Sequence, residues 1–141
     1  MYLLDTNVIS EFRRLTLRRG NKSVQAWAET VSSRSLYLSS ITIFEIEVGI
    51  HSLEAKDPAG AENIRQWLQN HVLKEFGARI LPFDVDEARV CARLTSGRTR
   101  PFRDMQIAAT ALHAGFSLVT RNIKDFEGLP VPLLNPFEVA V

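Results

Sequence analysis

Three carboxylates stand where charge is costly. Asp5 closes the short apolar run Met1-Tyr2-Leu3-Leu4, Glu45 lies inside the apolar stretch Ile41 to Ile50, and Asp104 opens the alanine-rich stretch that ends at Ala114. Each has a plain structural reading. An Asp after a strand can simply cap the next helix, a Glu can sit at the rim of a core helix, and an acid in a first helical turn is favoured by the helix dipole. The repetition in three separate segments favours a common cause. Unpaired charge in apolar surroundings requires basic partners or a shared cation, and an all-oxygen set without a His or Cys pattern suits Mg²⁺ or Mn²⁺. A fourth candidate comes from the segment after Ser117-Leu118-Val119-Thr120: either Asn122 or Asp125, the latter also readable as a surface turn with Phe126 as its anchor.

Other chemistry is poorly represented. His51, His71 and His113 have no ligand-like spacing and join no Ser–His–Asp pattern, and no glycine-rich phosphate loop occurs. The single cysteine, Cys91, excludes an intrachain disulfide and a Cys-rich zinc site. Basic residues cluster twice, as Arg13, Arg14, Arg18, Arg19 and Lys22, and as Arg98, Arg100 and Arg103. Such runs are commonly solvated faces. Beside an acidic metal site they would instead grip a phosphodiester backbone, with Arg13, Arg14, Arg100 and Arg103 as the candidate contacts.

The elements that must position these groups alternate. Short apolar runs at Met1–Leu4, Leu36–Leu38, Arg79–Phe83, Ser117–Thr120 and Val131–Leu134 read as buried strands, with Pro132 confining the last to an edge. Between them, Ile64, Trp67, Leu68, Val72 and Phe76 mark a helical stripe, Asp84 with Glu87 resembles a capping box, and Gly115 suits a helix C-terminus. The stretch around Glu45 is apolar on nearly every side, so its helix is expected to be largely buried, with Glu45 sharing a face with Ile41, Phe44 and Val48. Gly49, one turn on, suggests a packing or site reason for a missing side chain. Alternating strands and helices imply an α/β fold with a mostly parallel sheet covered on both faces, whose ligands bind beyond the carboxyl ends of the strands.

The 141 residues point to one domain, 1–141, and 45% apolar content supplies a real core. A formal net charge of +1 excludes a histone-like or acidic-tail chain. No apolar run approaches the roughly 20 residues of a membrane span, and no basic leader precedes Asp5, so no membrane association and a cytoplasmic location are expected.

Four blocks together, Leu3-Leu4-Asp5-Thr6-Asn7, Ser40-Ile41-Thr42 through Glu45 to Gly49, Asp104 through Ile107-Ala108-Ala109-Thr110-Ala111, and Val119-Thr120-Arg121-Asn122 through Asp125-Phe126, resemble the PIN-domain ribonucleases. Within them the likeness is to the VapC-type toxins of type II toxin–antitoxin systems, and it runs over essentially the whole chain. The resemblance implies a three-layer α/β/α sandwich and metal-dependent hydrolysis of RNA by a metal-activated water. It also implies an RNA substrate, tRNA among the candidates, a cognate antitoxin and a homodimer. Carried over by position, Asp5 and Asp104 would be the principal ligands for Mg²⁺ or Mn²⁺, Glu45 would ligate or act through water, and Asp125, or Asn122 beside it, would complete the pocket. Thr6, Asn7, Thr120 and Asn122 would orient them. The short connection Ser96 to Arg103 departs from similar proteins, which often carry a longer segment there. Trp27, Ile50, Leu53 and Trp67 are the apolar candidates for association surfaces, each equally readable as core. The competing readings are a phosphatase using Asp5, for which Asn7 stands where a second Asp is wanted, and a non-catalytic RNA-binding or antitoxin-docking module, which would be expected to have lost a core acid.

Overall fold

The computed structural model describes residues 1–138; the last three residues of the expected domain, 139–141, lie outside the described residues. Five strands, β1 (Tyr2–Leu4), β2 (Leu36–Ser39), β3 (Ile80–Leu81), β4 (Ser117–Val119) and β5 (Leu133–Leu134), form one sheet in the order β3-β2-β1-β4-β5, every pair parallel. The expected strands at 79–83 and 131–134 shrink to two residues each, and β5 is an edge as Pro132 requires. Successive side chains alternate faces, so Leu3 and Leu118 pack into one core while Leu4 and Val119 pack into the other. The chain winds from β1 outward to β2 and β3, then returns to the far side of β1 as β4. The winding direction therefore reverses between β1 and β4, which opens a crevice at their carboxyl ends.

Helices cover both faces. On one side lie α1 (Thr6–Thr16), α2 (Lys22–Thr30), α3 (Ser40–Glu54), α4 (Pro58–Trp67) and α5 (Leu73–Phe76), filled by Val8, Trp27, Leu38, Ile46, Ile50, Leu68 and Phe76. On the other lie α6 (Val85–Thr95) and α7 (Phe102–Ala114) over Val90, Leu94, Met105, Ile107 and Phe126. The Asp84–Glu87 capping box forms, and Gly115 ends α7 at φ +75°. The stripe read across residues 59–76 is one helical path interrupted by a π-turn at Leu68–Val72. Its apolar residues at 64, 68, 72 and 76 step by four each time, overrunning a 3.6-residue turn, and the wider π-turn takes up the drift.

Some expectations need correction. α3 is not largely buried: Phe44 is 51% and Val48 37% exposed, and a side chain at Gly49 would meet nothing within 4 Å. Its apolar excess exceeds what the sheet covers, because only Thr42, Ile46 and Ile50 lie fully underneath. Conversely, Trp27 and Ile50 belong to the core and cannot form an association surface, while Leu53 and Trp67 pack partly against it. Among the described residues no helix is long and apolar enough to cross a membrane.

The turn that carries Asp125 is anchored from below. Residues Ile123–Phe126 form a single 3-10 turn, and Phe126 is 1% exposed within the core of α6, α7 and β4. Phe126→Ala is expected to lower stability by about 3–5 kcal/mol, read by urea denaturation, because the site cannot collapse around the lost ring. A loss below about 1 kcal/mol would show that the ring is not the anchor.

Candidate functional site

The register of β1 against β4 pairs Leu4 with Val119, so the next residues, Asp5 and Thr120, emerge side by side at the crevice. Asp5 has both of its possible roles at once. Its Oδ1 caps α1 by accepting from the Thr6 N–H at 2.8 Å, while Oδ2 faces the crevice and accepts from Thr120 Oγ1 at 2.8 Å and Asn7 Nδ2 at 3.3 Å. Asn7 is held in turn, its Oδ1 accepting the Arg121 N–H at 3.1 Å. Thr120 is fully buried, and its hydroxyl oxygen accepts the Asn122 N–H at 3.0 Å.

Glu45 reaches the same place from α3. Thr6 Oγ1 donates to its Oε1 at 2.7 Å, and the Arg103 Nη1 lies 3.9 Å from its Oε2. The sequence reading missed Thr42, which is fully buried three residues before Glu45 and shares a hydroxyl–hydroxyl contact of 3.1 Å with Thr6. Its position one turn from Glu45 was the available signal. Thr6 thus ties the start of α1 to the face of α3.

Asp104 lies in the first turn of α7, half-buried, as its position in the sequence implied. Asp125 lies in the 3-10 turn beyond β4, with its N–H bonded to the Asn122 carbonyl at 3.0 Å. Asn122 contributes here through its backbone, whose N–H and C=O serve Thr120 and Asp125. Arg100 bonds the carbonyls of Asp125 and Glu127 and is thereby committed to holding the Asp125 turn, not free for RNA. The short connection before Asp104 therefore clamps one rim of the site. Arg98 is similarly spent on the Leu94 carbonyl, and Arg103 stacks over Phe44 at 4.8 Å. Arg14 pairs with Glu11 at 3.5 Å, and Arg13 lies over Trp67.

The electrostatics report crowding. Burial pushes the Asp5 carboxyl above its ordinary range, and nearby Glu45 adds to this against the donors from Thr120, Thr6 and Asn7. Asp104 is pushed up to about 6, first by burial and then by the charges of Asp5, Asp125 and Glu45. Four carboxylates from four elements therefore share one electrostatic field. Among the described residues no three carboxylate, imidazole or thiol groups converge closely enough to chelate an ion as they stand. The donor set is nonetheless all oxygen and short of positive charge, so its chemistry fits a hard divalent cation.

Comparison with known proteins agrees with this layout. A family model described as PIN domain matches residues 2–130. The chain is 37% identical over 147 aligned positions to the VapC ribonuclease Y4jK of Sinorhizobium fredii, covering 99% of this chain and 100% of that one. It superimposes on the crystal structure of FitAcB from Neisseria gonorrhoeae with a TM-score of 0.86 at 33% identity, covering 99% and 100% of the two chains. It also matches a chain of a toxin–antitoxin complex from Klebsiella pneumoniae at TM-score 0.68 and 25% identity, with 99% and 100% covered.

A carboxyl whose pKa is raised on folding favours the folded state while protonated, and that contribution is lost as pH rises through the folded value. For Asp104 the loss spans the interval from its ordinary value of 3.8 to about 6. In metal-free buffer, Asp104→Asn is expected to melt higher than wild type at pH 7.5–8 (roughly two units above that folded value), with the gap closing near pH 4. A gap independent of pH in thermal scans would show that Asp104 does not feel its neighbours.

Proposed function

The chain belongs to the PIN-domain family, and we propose that it is a metal-dependent endoribonuclease serving as the toxin of a type II toxin–antitoxin module. The observation that carries the reading is the shared field of Asp5, Glu45, Asp104 and Asp125 at the point where the sheet reverses its winding. An RNase relative and a chain of a toxin–antitoxin complex, both of nearly the same length, support it.

In this reading Asp5, Asp104, Glu45 and Asp125 hold Mg²⁺ or Mn²⁺. When bound, such an ion would supply positive charge at the scissile phosphate and would lower the pKa of a water beside it. Thr120, Asn7 and the Thr6 N–H fix Asp5 and oppose the upward push of burial on its carboxyl, and the Thr6 hydroxyl positions Glu45. Arg103, about half exposed beside Glu45, is the guanidinium placed to meet a phosphate that enters the crevice. Arg13 and Arg14 extend positive charge along α1, whereas Arg100 acts by positioning Asp125. The partners are RNA, tRNA among the candidates, and an antitoxin whose basic side chain fills the acidic crevice. A second copy of the chain is the third, and exposed Phe44, Val48 and Phe102 offer apolar surface for these contacts.

Purified protein is expected to cut RNA with Mg²⁺ or Mn²⁺, to stop in EDTA, and to leave phosphomonoesters intact. Asp5→Asn and Asp104→Asn should be inactive but folded, and Thr120→Val should weaken metal affinity about 10–100-fold. Asp125→Ala should weaken affinity and cleavage more than Asn122→Ala, because the latter keeps the backbone groups that Thr120 and Asp125 use. Full cleavage in EDTA, or an inert Asn122→Ala beside a normal Asp125→Ala, would contradict the assignment.

A further inference from the structure

We propose that Trp67 and the amides beside it on α4 and the π-turn that follows form a nucleobase subsite, so that the chain grips single-stranded RNA between α1 and α4 on its way to the carboxylates. The proposal rests on the ribonuclease reading and names the part of the substrate which that reading leaves open. Two cavities, about 360 and 650 Å³, share Arg13 and Trp67 in their walls. The first begins at Thr6 and Glu45, and the second ends at Arg19 and Asn70, so together they make one trough leading out of the site. Each has the size of an ordinary ligand pocket.

The two walls differ in kind. Helix α1 and the turn after it supply Arg13 and Arg19, and among the described residues no carboxylate lines the outer cavity. Its other wall supplies an aromatic ring and a row of amides: Asn63, Gln66, Trp67 and Asn70 share one face at helical spacing. The row is partly pre-ordered, since Gln66 donates to Glu62 at 2.8 Å and Asn70 donates to Gln66 at 2.8 Å. That leaves the Asn70 carbonyl oxygen and the Asn63 amide available to a base edge. Trp67 packs against the core yet keeps part of its ring in the walls of both cavities, with the Arg13 guanidinium carbon 6.0 Å from the ring centroid, whereas Trp27 is buried against Tyr2.

Cations along one side and a stacking ring with amides along the other are what a single strand needs, its phosphates facing one wall and its splayed bases the other. A duplex keeps its bases stacked and cannot use the second wall. A protein segment would leave the arginine wall without counter-charge unless it were acidic, so the charge favours RNA.

The test uses the full chain in EDTA, with single-stranded homopolymer RNA and an RNA duplex as probes. In a Trp27→Phe background, Trp67 emission is expected to be quenched by single strands and not by duplex. By fluorescence anisotropy, without the Trp27 change, Trp67→Ala should bind single strands roughly tenfold more weakly or worse, with Trp67→Phe retaining most of the affinity. Asn63→Ala with Asn70→Ala should narrow the differences among the homopolymers, and Arg19→Ala should reduce the salt dependence by about one phosphate contact. With metal restored, Trp67→Ala should raise KM more than it lowers kcat. Unmoved emission together with wild-type binding by Trp67→Ala overturns the subsite and leaves the trough to a protein occupant, whether or not RNA is cut. Quenching by RNA that the wild type never cleaves keeps the subsite and overturns the nuclease reading instead.

Discussion

Asp5 is 6% exposed at the carboxyl ends of two parallel strands, and its two oxygens already hold three donors, the Thr6 N–H, the Thr120 hydroxyl and the Asn7 amide. Those donors offset only part of the cost of burying a charge, and Glu45 and Asp104 bring further negative charge toward it. Most of this edge of the molecule can be understood from that repulsion. The register of β1 on β4 delivers Thr120 to Asp5, the α1–α3 contact delivers Thr6 to Glu45, and the Arg100 clamp with Phe126 beneath fixes the turn of Asp125. Stability is given up locally so that acidic groups remain close together, and a cation is the economical way to relieve them.

The parallel sheet and both faces of helices were legible because each strand is a short apolar run bounded by cap residues, and because Leu3 and Leu4 must point to opposite cores. Asp5, Glu45 and Asp104 stood out for the same physical reason that makes them crowded in the fold: each puts charge where its segment is otherwise apolar. Asp125 was legible only as one of a pair with Asn122, since nothing local says which residue of a 3-10 turn faces the crevice. The backbone role of Asn122, whose N–H and C=O bond Thr120 and Asp125, is likewise something that residue types do not encode.

What sequence could not supply was the assignment of interchangeable residues. Arg98, Arg100 and Arg103 read as one basic cluster, yet one binds a helix end, one clamps a turn and one stacks on Phe44 beside Glu45. Arginine commits to a partner through geometry, and its partners here are 4 to 58 positions away, at Leu94, Asp125 and Glu45. The exposure of Phe44 and Val48 was hidden for a related reason: a helix apolar all round does not say which side the sheet will cover. The π-turn at Leu68–Val72 was foreshadowed by four-residue steps in the apolar stripe, a spacing that a simple helical reading absorbs without notice.

The claim that crowded carboxylates await a cation is tested most directly by calorimetric titration of Mn²⁺ into the wild-type chain near pH 6, in buffers of different ionisation enthalpy. With Asp104 half protonated there, the account predicts binding accompanied by proton release, which falls away near pH 8 and is diminished in Asp104→Asn. Absence of Mn²⁺ binding, or binding whose proton count is the same at both pH values, would contradict it.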